Sequence, residues 1–248
     1  MLSTARFAGI VRAGLRFRRK LDAIKEGRPE IAWYPYDSFA NLFQLSTLMK
    51  NCGVTLPSLT EGGPVLDLGA GDGALSFFLE SFGHAVDAVD NAGANMNRME
   101  GIRALAAALG SHVRIVDIDI DAQFQLPREY SLALMLGILY HLKNPYYALE
   151  HLAAHARYCF LSTRVAGFTP DHGLRIEAQP VAYLLDRAET NNDDTNYWIF
   201  SPAGLERIVN RCGWDVMARS QTGARFSDPV HQTNDQRMFL LLRSTVLT

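Results

Sequence analysis

The sequence predicts an α/β protein built on a doubly wound, mostly parallel sheet, with an N-terminal helical extension and a lid insertion. Three observations support this fold class. From Pro64 onward, short apolar runs alternate with helix-like segments, the order that produces a parallel sheet with helices on both faces. One of these runs leads directly into a glycine-rich turn. The length of 248 residues and the hydrophobic content of 48% suit one sizeable domain.

The first part of the chain, residues 1–60, is expected to form a helical cap on a main domain that spans 61–248. The cap begins with an arginine-rich stretch that contains no acidic residue before Asp22, which predicts an amphipathic helix with a basic face. A second helix is expected from an N-cap at Asp37 or Ser38 to about Lys50, ending near Gly53. Its buried side would carry the apolar residues Phe39, Leu42, Phe43 and Leu45.

The main domain is expected to alternate between buried strands and amphipathic helices. Strands are predicted at residues 65–68, 85–89, 112–116, 131–136 and 158–162. Helices are predicted at residues 74–82, 94–109 and 145–156.

Residues 165–200 interrupt this alternation. They contain glycine, proline and polar residues, with one helix-like patch at 181–188, and a connection of this length is usually a lid or a binding insertion. The core then resumes, with Ser201 as the cap of a helix that begins at Pro202 and ends before Gly213. Strands at 214–218 and 237–242 are expected to complete the sheet.

Composition and charge limit the class of protein. The net charge of -2 gives no global field that would favour nucleic acid or an anionic membrane, and no apolar run reaches the ~20 residues that span a bilayer. Cys52, Cys159 and Cys212 lack a paired spacing, which argues against a zinc site or a disulfide framework and predicts reduced thiols in a cytoplasmic protein. The basic start leaves three interpretations open: a solvated helix, a helix that binds a partner or RNA, and a cleaved targeting segment.

A cofactor site is predicted where the strand 65–68 enters the turn Gly69-Ala70-Gly71-Asp72-Gly73. Glycines are needed where a nucleotide lies against bare backbone, because any Cβ would hold it away. Asp90, at the end of the next strand, could accept both hydroxyls of a ribose. Gly69, Gly71 and Ala74 also satisfy a dinucleotide pattern, but the carboxylate of Asp67 would repel a pyrophosphate and suits a cofactor that carries an ammonium and a sulfonium.

This stretch resembles the first motif, Asp-x-Gly-x-Gly-x-Gly, of class I S-adenosylmethionine-dependent methyltransferases. The resemblance implies a Rossmann-like methyltransferase sheet and S-adenosyl-L-methionine as cofactor. It implies that Gly69 and Gly71 face the methionine part, that Asp90 holds the ribose and that Asp119 lies near the adenine, with Asp117 and Asp121 as rivals for that last role. The further residues expected to line this cofactor site are Asp67, Ala70, Asn91, Ile120, Leu136 and Gly137.

The catalytic edge is predicted in the run Leu134-Met-Leu-Gly-Ile-Leu-Tyr-His-Leu-Lys-Asn-Pro145, where a buried strand delivers Tyr140 and His141 at its carboxyl end. The run resembles the fourth motif of small-molecule and tRNA methyltransferases, although Ser131 replaces their aspartate before this strand. Leu-Tyr-His followed by Asn-Pro, together with the run 197–202, resembles the family that forms 5-oxyacetic acid at wobble uridine in tRNA.

His141 is the expected general base, because an imidazole with a pKa near ~6.5 accepts a proton at neutral pH, and a role in ordering its turn is the alternative. Tyr140 is expected to pack on the methionine end of the cofactor or to donate a hydrogen bond beside it. Tyr36, Arg164 and Trp198 are the candidate substrate residues. Trp33 and Tyr34, with Tyr36, could close over the cofactor through an aromatic face that attracts a sulfonium, or could join the cap to the sheet.

The sequence therefore predicts an enzyme that moves the methyl group of S-adenosyl-L-methionine to an oxygen of a small polar molecule, a nitrogen being the weaker alternative. A tRNA acceptor and a non-catalytic cofactor-binding partner subunit remain as alternatives. No metal is expected, because the polar run 191–194 reads as a solvated loop, and neither the oligomeric state nor the acceptor is predicted.

Overall fold

The structure is a computed structural model that describes residues 4–190, 194–230 and 235–247, with side chains from residue 9 onward. The chain divides into two compact units, Met1–Leu134 and Met135–Thr248. The N-terminal helices lie in the first unit. None of the helices in the described ranges is long and apolar enough to cross a bilayer.

The first unit begins with three helices. They are α1 (Thr4–Glu26), α2 (Asn41–Cys52) and α3 (Leu56–Thr60), and a 3-10 turn at Ser38–Ala40 precedes α2. The Asp37 side chain accepts a hydrogen bond from the Phe39 N–H and so caps the 3-10 turn, and Gly53 ends α2 with a φ of 69°. Phe39, Leu42 and Leu45 are buried as expected, but Phe43 is 62% exposed, so its predicted burial is wrong.

Parallel strands form the sheet of the first unit. They are β1 (Val65–Leu68), β2 (Val86–Asp90), β3 (Arg114–Asp117) and β4 (Tyr130–Leu136), in the order β3-β2-β1-β4, and β4 continues into the second unit. The helices are α4 (Ala74–Glu80) and α5 (Glu100–Leu109). The helix α5 starts later than expected, because the Asn95 side chain accepts hydrogen bonds from the N–H groups of Asn97 and Met99 and closes a turn there.

The second unit contains α6 (Pro145–Ala153), β5 (Ala156–Val165), β6 (Ala182–Leu184), β7 (Trp198–Phe200), α7 (Pro202–Arg211), β8 (Trp214–Gly223) and β9 (Gln236–Ser244). From β4 the strand order is β4-β5-β7-β6, with β9 antiparallel to β5 and β8 antiparallel to β9. The Ser201 hydroxyl accepts a hydrogen bond from the Gly204 N–H and caps α7 as predicted. This mixed α/β architecture confirms the predicted fold class.

The insertion is the part that differs most from expectation. The predicted helical patch is wrong, because β6 lies there and pairs with β7, Tyr183 opposite Ile199. The strand β5 also extends to Val165, beyond its predicted end, because β9 pairs with it along its length. Arg164 is consequently part of a strand and does not follow one.

Candidate functional site

The glycine turn after β1 packs against the end of β2. The N–H groups of Gly69 and Ala70 donate to the Val89 carbonyl at 2.8 and 3.2 Å. Gly69, Gly71 and Gly73 have φ values of 76°, 58° and 76°, in the left-handed region where a residue with a Cβ is strained. The sequence therefore places bare backbone at the carboxyl edge of the sheet.

Asp90 closes this turn. Its Oδ2 atom accepts a hydrogen bond from the Gly71 N–H at 2.7 Å, and its Oδ1 atom accepts one from the Asn91 N–H at 2.8 Å. Burial raises the pKa of Asp90, while these two backbone N–H groups act against the rise. The structure thus brings together the glycine turn and the acidic residue that the sequence predicted as one cradle, and each carboxylate oxygen has a second lone pair for a ligand hydroxyl.

Asp67 is held inside the unit by a residue that the sequence did not indicate. It is 5% exposed, and its Oδ2 atom accepts a hydrogen bond from the Ser76 hydroxyl of α4 at 2.6 Å. Burial raises the pKa of Asp67 to about 6, against the opposing effect of the Ser76 hydrogen bond. The carboxyl group is therefore a buried support of the turn.

The acidic residues after β3 lie at the same edge of the sheet. Asp117 is opposite Asp90 in the parallel register, and its Oδ1 atom accepts a hydrogen bond from the Ala92 N–H at 2.9 Å. Asp119 is exposed and accepts a hydrogen bond from the Asp121 N–H at 3.0 Å, while Ile120 is buried. Because parallel strands end at a common edge, Asp119 is available to a ligand that lies along the ends of β1, β2 and β3.

The N-terminal segment covers the glycine turn through Tyr34. A Cβ atom placed on Gly71 would lie 3.6 Å from Cγ of the Tyr34 ring, so the two are in contact. The Tyr34 hydroxyl accepts a hydrogen bond from the Met96 N–H at 3.3 Å, and burial raises the pKa of this hydroxyl. Tyr36, the predicted substrate residue of this segment, is 78% exposed.

Asp72 joins the N-terminal segment to the turn, a role that no sequence pattern indicated. Its Oδ2 atom accepts hydrogen bonds from the Lys25 ammonium at 2.8 Å and from the Tyr34 N–H at 2.9 Å. Its Oδ1 atom accepts one from the Asn97 amide at 2.8 Å, and Gly101 leaves room for it, since a Cβ there would lie 2.1 Å from that oxygen. A buried carboxylate with an ionic partner and two further donors fixes this segment in place.

In the second unit, the turn after β4 carries the predicted catalytic residues. Leu136 and Gly137 end the strand, and the Gly137 N–H donates to the Ser162 carbonyl at 2.9 Å. The rings of Tyr140 and His141 lie 4.2 Å apart, on a 3-10 turn at Leu139–His141.

His141 is oriented by Thr195. Its Nδ1 atom lies 3.1 Å from the Thr195 carbonyl oxygen and 3.1 Å from the Thr195 hydroxyl. The carbonyl can only accept, whereas the hydroxyl can donate or accept, so the tautomer with its proton on Nδ1 satisfies both contacts and has Nε2 as its basic nitrogen. Thr195 was not singled out by the sequence.

Arg164 and Trp198 lie in strands of the second unit. Arg164 is 5% exposed, with its Nε atom 3.3 Å from Asp235 Oδ1. Trp198 is half-buried and its indole N–H donates to the Lys143 carbonyl at 3.3 Å. Arg237, which no sequence motif indicated, places its guanidinium carbon 5.9 Å from the centre of the Tyr140 ring.

No group of three potential metal ligands occurs among the residues that the structure describes. Of the polar run considered as a metal site, residues 191–193 lie outside the described residues.

The chain is similar to known proteins in sequence and in fold. The family model described as a methyltransferase domain matches residues 39–219. No curated protein shows significant similarity to the chain. The N-terminal domain of EvdMO1 with SAH bound matches with a TM-score of 0.56 and 16% identity, over 92% of this chain and 96% of that one. A putative methyltransferase from Bacillus halodurans C-125 matches with a TM-score of 0.59 and 12% identity, over 82% and 99%.

Magnesium protoporphyrin IX methyltransferase from Synechocystis PCC 6803 with bound SAM also matches, with a TM-score of 0.50 and 20% identity, over 80% of this chain and 77% of that one. At these identities the likeness to solved structures concerns the fold, whereas the family model covers most of the chain. The chain belongs to the methyltransferase-domain family and is a class I S-adenosyl-L-methionine-dependent methyltransferase.

Proposed function

We propose that this enzyme methylates an oxygen of a small polar molecule, a nitrogen being the weaker alternative. The observation that carries the choice of oxygen is the orientation of His141, whose Nδ1 atom is held by the Thr195 carbonyl. A hydroxyl acceptor must lose a proton as it forms its bond to carbon, so it gains more from a positioned base than an uncharged amine does.

The first unit supplies the residues that fit the adenosyl part of the cofactor. Asp90 is assigned to the ribose hydroxyls, the backbone of Gly69 and Gly71 to the methionine part and Asp119 to the adenine. The positive φ angles of the turn and the carboxylate that accepts the Gly71 N–H support this assignment. The Asp67 carboxylate of β1, just before the turn, disfavours a dinucleotide pyrophosphate by charge.

The chemistry follows from the methyl group that the bound cofactor presents on a positively charged sulfur. When bound, the cofactor would supply an activated methyl group to the acceptor oxygen, and Nε2 of His141 would accept the proton that the hydroxyl loses. Positioning of the reactants contributes most of the barrier reduction, roughly 7–11 kcal/mol. A general base typically increases the rate a further 10²–10⁴-fold.

A small acceptor is also consistent with the solved structures of similar fold. The N-terminal domain of EvdMO1 was crystallised in the presence of SAH and D-fucose. That finding describes EvdMO1, and for this chain it supports a search that begins with small hydroxylated molecules.

The test compares His141→Ala with His155→Ala. Both histidines belong to the second unit and contact a carbonyl oxygen through Nδ1, that of His155 being the His151 carbonyl at 2.8 Å. With methyl-labelled cofactor and fractionated cell extract, we expect His141→Ala to lower turnover by roughly 10²–10⁴-fold while the Kd for S-adenosylhomocysteine stays unchanged. His155→Ala should keep its turnover. Loss of cofactor binding in His141→Ala, or equal losses in both variants, would contradict the proposal.

A tRNA acceptor is the second candidate, favoured by the exposed basic face of α1. The exposed cations of this face are Arg12, Arg16, Arg19 and Lys20. Replacing the three arginines by glutamine should then weaken RNA binding and flatten its dependence on salt, because released counterions set that slope. Absent or salt-independent RNA binding by the unaltered enzyme eliminates this candidate.

A further inference from the structure

Two arginines face each other across β5 and β9 in the second unit. Arg164 and Arg237 are paired in the antiparallel register. Like charges directly opposite each other destabilise a pair of strands. Burial lowers the pKa of Arg164, whereas the pKa of Arg237 is raised: burial opposes this rise, and Tyr140 and Asp235 cause it. The repulsion between the two guanidinium groups must be offset by a nearby negative charge, or the pair is retained for a function.

Asp235 compensates for part of the repulsion. Its Oδ1 atom lies 3.3 Å from Nε of Arg164, and its Oδ2 atom lies 3.1 Å from Nε of Arg237. One carboxylate thus serves two guanidinium groups. The neighbouring Asp228 offers Arg164 its backbone carbonyl at 3.3 Å, whereas its carboxylate lies 3.1 Å from Nε2 of His172.

The guanidinium of Arg237 is directed to the turn that carries the catalytic candidates. Its Nη1 atom would lie 3.5 Å from a Cβ atom placed on Gly137, and its carbon lies 5.9 Å from the centre of the Tyr140 ring. The Tyr140 ring is in turn 4.2 Å from the His141 ring. Asp235 is bonded to Nε, and the Nη1 atom lies beside Gly137 in this turn, where Tyr140 is a further hydrogen-bond partner of Arg237.

We propose that Arg237 determines acceptor specificity by binding an oxyanion of the acceptor, a carboxylate or a phosphate, through its Nη donors. A planar guanidinium binds such groups through two parallel hydrogen bonds, and the half-buried position beside an aromatic ring strengthens them. The proposal rests on the proposed function, because it assigns an anionic class to the small polar acceptor.

The experiment separates a metabolite extract on an anion exchanger before each fraction is incubated with the enzyme and methyl-labelled cofactor. We expect the label to enter molecules of the retained, anionic fraction. Phosphatase treatment of that fraction abolishes labelling of a phosphate acceptor, and carbodiimide coupling to glycinamide abolishes labelling of a carboxylate acceptor. Either result supports the proposal and identifies the oxyanion.

Variants then assign the effect to Arg237. Arg237→Gln should raise the KM for the retained acceptor by roughly 10- to 100-fold, the range of one lost charged hydrogen bond, with the Kd for S-adenosylhomocysteine unchanged. Arg237→Lys keeps the charge but not the planar guanidinium, so its KM should lie between those of Arg237→Gln and the unaltered enzyme. This variant also tests the proposal if Arg237→Gln fails to fold. Arg243→Gln is the matched control, since Arg243 is an exposed residue of the same strand and pairs with Asp215 at 3.2 Å.

These experiments test the role of Arg237 separately from the proposed methylation of a small polar acceptor. Label confined to the unretained fraction, or an unchanged KM in both Arg237 variants, overturns the role of Arg237 and leaves the proposed function standing. Absence of label from every fraction overturns both.

Discussion

Replacing Asp90 by asparagine tests the cradle with a change of almost no volume. The carboxylate accepts one hydrogen bond on each oxygen, from the N–H groups of Gly71 at 2.7 Å and Asn91 at 2.8 Å. Asparagine keeps one oxygen and replaces the other by an NH₂ group, which can only donate. Whichever way the amide is oriented, one backbone N–H then faces another donor.

The magnitude follows from these contacts. Loss of a hydrogen bond to a charged group costs roughly 1.5–3 kcal/mol. Part of this loss is offset, because burial disfavours the charged carboxylate of Asp90 and the uncharged amide avoids that cost. We therefore expect the free energy of unfolding to fall by only about 1–2 kcal/mol. The ribose loses one of its two charged contacts without that relief, so S-adenosylhomocysteine should bind roughly 10- to 100-fold more weakly.

Calorimetric titration with S-adenosylhomocysteine, together with thermal unfolding, measures both quantities. Asp117→Asn is the control, because Asp117 lies opposite Asp90 in the register but is exposed. The affinity of Asp117→Asn for S-adenosylhomocysteine should change by less than about threefold, because an exposed charge contributes little. Equal affinities of Asp90→Asn and the unaltered enzyme, or a larger loss in Asp117→Asn, would refute the assignment of the ribose to Asp90.

Two further predictions concern Asp67 and Tyr34. Because burial raises the pKa of Asp67 from 3.8 to about 6, the folded protein binds more protons than the unfolded chain between these values. The free energy of unfolding therefore falls as the pH rises through this window, by about 3 kcal/mol in all. Asp67→Asn should remove this pH dependence of the free energy of unfolding and raise stability at pH 7. Urea denaturation at pH 4 and pH 7 measures both effects. The same pH dependence in Asp67→Asn and in the unaltered enzyme would contradict the prediction. Tyr34→Ala removes the ring beside Gly71 and should weaken binding of S-adenosylmethionine by roughly 2- to 30-fold, more than that of the uncharged S-adenosylhomocysteine, because an aromatic face attracts the sulfonium. Equal losses for the two ligands, measured by calorimetry, would contradict a sulfonium contact.

The contact between the glycine turn and Asp90 could be predicted from the sequence because it depends on local geometry. Gly69, Gly71 and Gly73 are required by the backbone of one tight turn, and Asp90 ends the very next strand along the chain. The parallel register that follows from this order brings Asp90 beside the turn without any longer-range information.

The contacts that the sequence did not reveal join segments far apart in the chain. Lys25 reaches Asp72, and Thr195 reaches His141, through single side chains with no local pattern. The pairing of Arg164 with Arg237 depends on the register of β5 and β9, which no turn between them specifies. The strand β6 was mistaken for a helix because a three-residue strand acquires its identity from its partner β7.

The carboxylate of Asp72 has a consequence for anyone who divides this protein into fragments. The family match starts at residue 39, downstream of both Lys25 and Tyr34. A fragment trimmed to that match would retain a buried acid while discarding its cationic partner, a loss that typically costs 3–5 kcal/mol. Truncation in front of Lys25 preserves the ion pair, so the sensible cutting point lies upstream of the homologous region.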